Sequence, residues 1–134
     1  MSVVLQHRVR YHETDQQGFL FNSRYLEITD VALTEFTRSI GWPYQQLLRA
    51  GADPSLVRAE IDFKAPARFD DVLDVDVVCT RVGTASFSTL TRMTRAGTEI
   101  AEVRITYVNV DAATAKSRPL PAAVADALRA SIPG

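Results

Sequence analysis

Residues 23–40 place apolar side chains at helical spacing, and they form the one long helical stretch in a chain whose other patterned segments alternate every second residue. Tyr25, Ala32, Phe36 and Ile40 follow one face, and Leu26, Val31 and Leu33 widen it. Asn22 or Ser23 can cap the start by accepting a backbone N–H bond. Gly41 suits a left-handed C-cap, and Pro43 forbids continuation. A helix of about 18 residues that is apolar around much of its girth calls for other structure wrapped about it.

The remainder of the chain supplies that wrapping. Residues 3–11 alternate as a strand, and residues 43–50 read as a short helix ended by Gly51. Four strand-like runs follow. Val57, Ala59, Ile61 and Phe63 alternate with Arg58, Glu60, Asp62 and Lys64. Leu73, Val75, Val77 and Cys79 alternate with Asp74 and Asp76. Phe87, Thr89, Thr91 and Met93 alternate with Leu90 and Arg92. Ala101, Val103, Ile105 and Tyr107 alternate with Glu102, Arg104 and Thr106. Gly83–Thr84 and Ala96–Gly97 read as hairpin turns. Residues 111–121 form a loop before a short terminal helix over 121–129. The fold class is α+β: an antiparallel sheet with one long helix buried on its concave face. Its open edges and outer face invite a second subunit, so a homodimer or homotetramer is expected.

With 134 residues, the chain is read as a single domain over 1–134. Fifteen basic residues against sixteen acidic ones leave a formal charge of −1, so no global positive field recruits nucleic acid or an anionic membrane. Cys79 is the only cysteine, which excludes an intrachain disulfide and a cysteine-based zinc site. His7 and His12 lie five apart, which is no usual metal spacing, so neither metal nor cofactor is expected. The segment MSVVLQHRVR carries its charge after a short apolar run and does not read as a signal peptide. No apolar stretch approaches the roughly 20 residues of a membrane span. A cytoplasmic location is the expectation.

The segment that carries chemistry is Tyr11-His12-Glu13-Thr14-Asp15-Gln16-Gln17-Gly18, followed by Phe19-Leu20-Phe21-Asn22-Ser23-Arg24-Tyr25. Asp15 lies between a strand end and the start of the buried helix, and Gly18 permits a sharp turn or close approach of backbone to ligand. A helix start presents unpaired N–H groups and the positive end of the macrodipole. Such a site can polarise a carbonyl, while a nearby carboxylate attacks the acyl carbon or takes a proton from water. The competing reading is Asp15 as a loop cap or salt-bridge residue.

At this segment the chain resembles the hotdog-fold acyl-CoA thioesterases of the 4-hydroxybenzoyl-CoA thioesterase type. The D-x-x-G loop ahead of a long helix carries the likeness, together with Phe63-Lys64-Ala65-Pro66-Ala67-Arg68-Phe69-Asp70-Asp71 and the order of elements, from about residue 6 to residue 130. The resemblance implies a curved antiparallel sheet around one central helix, with subunits paired through their sheets and active sites at the interface. It implies hydrolysis of a thioester to a free acid and coenzyme A. The family's loop aspartate maps onto Asp15, as nucleophile or general base. The carbonyl-polarising backbone amide maps onto Asn22, with Ser23 next in line. Many relatives carry His or Tyr where this chain has Asn22, and Gln16-Gln17 replaces smaller residues. Asn22 therefore has no proton-transfer role, and only its backbone is in question.

Other residues carry two readings each. Glu13 is either a second carboxylate acting with Asp15 or a solvent-exposed loop residue. Phe21 and Tyr25 line an acyl pocket or pack in the core, and Gly18 lets substrate approach. Asp30, midway along the helix, reads a polar group on the acyl moiety across a subunit interface or stands in solvent. His12 flanks the loop; His7 and Cys79 read as structural. The hairpin Arg81-Val82-Gly83-Thr84-Ala85-Ser86 is where the resemblance puts nucleotide contacts, through Arg81, Thr84 and Ser86. It is basic only at Arg81, so an acyl carrier protein suits it as donor as well as acyl-CoA does. The expected activity is acyl-thioester hydrolysis. The rivals are an enoyl-thioester hydratase or dehydratase, which needs an active-site His, and a non-catalytic acyl-thioester-binding protein.

Overall fold

The structure, a computed structural model, describes residues 3–134; Met1 and Ser2, which open the segment read against a signal peptide, lie outside them. The elements run β1 (Val3–Arg8), α1 (Arg24–Ser39), α2 (Tyr44–Ala50), β2 (Pro54–Phe63), β3 (Val72–Val82), β4 (Ser86–Arg95), β5 (Thr98–Asp111), β6 (Lys116–Ser117) and α3 (Ala122–Ser131). The sheet is antiparallel throughout, in the order β1-β3-β4-β5-β2, with β6 on the end of β5. Among the described residues no helix is long and apolar enough to cross a membrane.

The alternation sorts each strand into two faces. Leu73, Val75, Val77 and Cys79, then Phe87 and Met93, then Val103, Ile105 and Tyr107 are all buried beneath α1. The facing stripe of α1 is Tyr25, Ile28, Thr29, Ala32 and Phe36. This is the hotdog arrangement. The sheet covers one side of the helix only: Val31 is 52% exposed, and Asp30 and Arg38 stand out with it. Within the single chain the helix is not enclosed all round, which corrects the expectation drawn from its girth.

Two local expectations are corrected. The first strand ends at Arg8 rather than Tyr11, because Val9 leaves the ladder to bond Asp70 and Asp71 backbone groups. Ser23 occupies the N-cap of α1 in a helical conformation, and its side chain caps nothing. The strand order is not sequential either. Turns at Gly83–Thr84 and Ala96–Gly97 join β3, β4 and β5 as neighbours, but β2 crosses to the far side of β5. Residues 64–71 make that crossing. They bond the chain between β1 and α1: Leu20 donates its amide to the Ala67 carbonyl at 2.8 Å, and Val9 donates to Asp71 at 2.8 Å.

A buried polar residue ties the opposite end. Asn109 falls where the alternation of β5 asks for an apolar side chain, and it is fully buried. Its carbonyl accepts from the Asp53 amide at 2.8 Å, and its amide donates to Gly51 at 2.9 Å and Pro119 at 3.1 Å. The loop between α2 and β2 and the segment before α3 are thereby joined to β5 through one side chain, with little hydrogen-bonding capacity left over.

Glu13 ties the loop after β1. It is 9% exposed and accepts from the Arg10 amide at 2.7 Å and pairs with His7 Nε2 at 2.9 Å. Burial pushes its carboxyl up, but the Arg10 amide and His7 outweigh that and hold it below the ordinary value of 4.5.

Replacing Asn109 with Ala strands an amide and two carbonyls, and is expected to cost about 3 kcal/mol, read as a lower urea midpoint at unchanged m-value. The depressed Glu13 carboxyl contributes stability above its unfolded value of 4.5, lost as pH falls through the folded one. The stability gap between wild type and Glu13→Gln is therefore widest at neutral pH and shrinks on acidification; a gap that grows in acid contradicts this.

Candidate active site

The loop between a single 3₁₀ turn at Tyr11–Glu13 and α1 folds back on itself. Asp15 donates its amide to Phe19 O at 2.8 Å, and Gly18 donates to Asp15 O at 2.9 Å. Gly18 turns the chain at φ 81°, a left-handed conformation that side chains strain. Oδ1 of Asp15 accepts from the Gln17 amide at 2.8 Å and the Phe19 amide at 3.1 Å. Oδ2 has no hydrogen-bond partner among the described residues. The carboxylate is thus both a loop cap and an acid with one uncommitted oxygen, so the two readings of Asp15 are compatible.

Asp15 borders a cavity of about 430 Å³ whose walls include Phe21, Asn22, Tyr25, Phe63 and Lys64. That volume lies within the range of small-molecule sites. The backbone amides of Asn22 and Ser23 donate to no acceptor among the described residues. They open α1, where the helix leaves its positive end.

Tyr25 is 3% exposed and meets Phe63 edge-on with ring centroids 5.1 Å apart. Burial pushes its phenol up; the Ala67 amide opposes this, and the Asp15 charge adds to the rise. Tyr25 is therefore neutral across physiological pH, an apolar wall with a hydroxyl donor. Phe21 is 46% exposed at the rim.

The other candidates fall elsewhere. Glu13 is neither solvent-exposed nor an acid beside Asp15, since its carboxylate is consumed by Arg10 and His7. His12 is exposed and does not line the cavity. Asp30 borders a second cavity of about 290 Å³, with Thr34, Tyr44, Leu56 and Tyr107. Burial pushes the Asp30 carboxyl up. The Tyr107 phenol is raised by burial and by the Asp30 charge, and its hydroxyl is buried with no partner. Arg81, Thr84 and Ser86 lie at the far end of β3 and β4 from residues 64–71, roughly 33 Å along the strand. Arg81 donates to Ser86 Oγ at 3.2 Å, and the Thr84 carbonyl accepts from Leu120 at 2.9 Å. Within one chain they do not line the Asp15 cavity.

Sequence reading missed Phe63, Lys64, Ala65 and Pro66 as cavity walls. They arrive through the crossing of β2, which local spacing does not encode. Among the described residues no cluster of side chains suits a metal ion.

Comparison with known proteins agrees with this geometry. A sequence model described as the thioesterase-like superfamily matches residues 9–128. The chain is 28% identical over 118 residues to the acyl-CoA thioester hydrolase YbgC of Escherichia coli O6:H1, covering 87% of this chain and 88% of that one. Over 75 residues it is 36% identical to a protein of Aquifex aeolicus, spanning 56% of this chain and 59% of that relative's length. Among solved structures, a gentisyl-coenzyme A thioesterase superposes with a TM-score of 0.84 at 26% identity, over 94% of this chain and 99% of that one. With a lone carboxylate, a free helix start and a matched segment that takes in both, the chain belongs to the thioesterase-like superfamily.

Proposed function

We propose that this protein hydrolyses an acyl-CoA thioester to a free acid and a thiol, with Asp15 and the start of α1 acting on opposite sides of the acyl carbon. The observation that carries the reading is that Asp15, with its uncommitted Oδ2, and Asn22, with its unengaged amide, line one cavity; Ser23 follows Asn22 in the chain and its amide is likewise unengaged. The names of the relatives, an acyl-CoA thioester hydrolase and a gentisyl-coenzyme A thioesterase, support the same substrate kind.

The chemistry follows from those groups. A thioester carbonyl is weakly stabilised by resonance, so one dipole and one carboxylate suffice. The amides hold the oxygen as negative charge develops on it. Asp15 Oδ2 either bonds the acyl carbon or takes a proton from water that does so. In the first case the C–S bond breaks to leave a mixed anhydride on Asp15, which water then hydrolyses to the free acid and the restored carboxylate; in the second the added water expels the sulfur directly as the C–S bond breaks. Either way the departing thiolate takes up a proton released by water and leaves as thiol. The Gln17 and Phe19 amides fix Oδ1, so Oδ2 reacts without reorienting the loop. No histidine lines the cavity, which disfavours a hydratase.

The active unit in this reading is a dimer paired through β2. That strand is an edge, with Leu56 at 44%, Val57 at 57% and Phe63 at 54% exposure. Such an unpaired apolar edge is a ready template for a second copy. The Asp15 cavity opens by Phe63 at one end of β2, and the Asp30 cavity opens by Leu56 at the other. Antiparallel pairing about a two-fold axis brings the first cavity of one protomer beside the second cavity of its partner. Asp30 then meets the distal part of the acyl group and pairs with a polar substituent there.

Asp15→Asn is expected to lower thiol release from acyl-CoA by about 10³-fold or more with an unchanged melting temperature. Undiminished turnover would remove Asp15 from the mechanism. Val57→Asp places like charges across the paired edges. It is expected to yield monomers in sedimentation and to reduce activity at least about tenfold although Asp15 is intact. A fully active monomer would sink the dimeric site.

A further inference from the structure

Eight of the fifteen Lys and Arg side chains form ion pairs among the described residues; Arg8 pairs with Asp70, Arg24 with Glu27, Arg95 with Asp71, and Arg92 and Arg104 share Glu102. Lys64 and Arg68 are among those that form none, and both are exposed. What sets these two apart is their place. Both sit at the Asp15 cavity. Lys64 lines it directly. The Arg68 guanidinium lies 4.8 Å from the centroid of the Phe19 ring, and Phe19 is itself a cavity wall.

Their backbone is held firmly. Arg95 donates to Pro66 O at 3.1 Å and to Asp71 at 2.9 Å, and the Arg68 amide donates to Asp71 Oδ2 at 2.8 Å. Lys64 donates its amide to Ile100 O at 2.8 Å, and Phe19 pairs with Arg68 as an isolated bridge. The aromatic face orients Arg68 without taking up any of its N–H donors in an ion pair. A planar guanidinium fork with free donors on one wall residue of the cavity, and an unpaired ammonium on another wall, match phosphate oxygens.

We infer that Lys64 and Arg68 bind the phosphates of the thioester's carrier arm at the mouth of the Asp15 cavity, selecting a coenzyme A thioester. The inference rests on the thioester reading above and deepens it. The charges support it: one cavity is bordered by an acid, Asp15, and by an unpaired cation, Lys64, with a second unpaired cation against its Phe19 wall. It puts the phosphate contacts on the crossing between β2 and β3 of the same chain, and not on Arg81, Thr84 and Ser86 at the far end of the sheet.

The test follows one acyl group on two carriers: coenzyme A and N-acetylcysteamine, which presents the same thioester without phosphate. In Lys64→Ala/Arg68→Ala, KM for the acyl-CoA rises about tenfold, while kcat stays within about twofold and the N-acetylcysteamine thioester is cleaved as before. Added salt weakens wild-type binding of the acyl-CoA, and the double variant loses most of that dependence. Arg68→Gln, which keeps a stem over Phe19, shifts KM the same way. Lys116→Ala, which deletes a cation on β6, shifts nothing.

An unchanged acyl-CoA KM in the double variant overturns the inference, as do equal losses on both carriers. A KM rise confined to a carrier-protein thioester also overturns it, because the cations would then serve a protein interface. Calorimetric titration with coenzyme A alone separates the two readings. If wild type binds it and the double variant binds about tenfold more weakly, yet no thioester is cleaved, hydrolysis fails and the phosphate site stands.

Discussion

The Leu20 amide bonds the Ala67 carbonyl at 2.8 Å, and the whole site depends on that seam. It fastens the Asp15 loop to the segment that carries β2 across to the far edge of the sheet. Without it, the carboxylate, the helix start and the cavity walls would belong to unconnected surface elements. The seam is reinforced by the Phe19–Arg68 bridge on one side and the Val9 bonds to Asp70 and Asp71 on the other. These are backbone contacts, so they set position with little reliance on side-chain identity.

That seam also explains which parts of the molecule were legible in its sequence. Strands β4 and β5 were readable within one or two residues and β3 within three, because a two-residue period and two turn signals are local properties. The helix was readable from its spacing and from Gly41, which takes φ 92° at its end. The Asp15 loop was readable because Asp15, Gly18 and Asn22 are contiguous. The pairing of β2 with β5 was not, since nothing near residues 54–63 names a partner some forty residues on. The cavity walls Phe63 and Lys64 were lost with it. Glu13 was misjudged for the same kind of reason: a carboxylate in a loop reads as solvated until the His7 side chain and Arg10 amide are folded against it.

The acid and the dipole are treated differently by the fold. Asp15 is restrained through one oxygen and left free through the other, which fixes direction without consuming reactivity. The helix start is left uncapped by side chains, at some expense in helix stability, and so keeps donors unsatisfied beside the cavity. Neither arrangement is the most stable choice for a loop or a helix in isolation. Local choices that sacrifice stability beside a cavity mark the place where the molecule acts on something else.

The outer face of the sheet is built on another plan. Asp76 stands opposite Arg92, Arg92 opposite Glu102, and Glu102 opposite Asp62, with Arg104 bridging the last two at 3.0 Å to each. Positive and negative groups interleave across four strands there. A flat partner laid over this lattice would strip water from every ion in it and return few new bonds. Stacking of sheets back to back is thereby discouraged, whereas the open flank of the long helix, where Val31 lies bare, offers apolar surface without such a lattice.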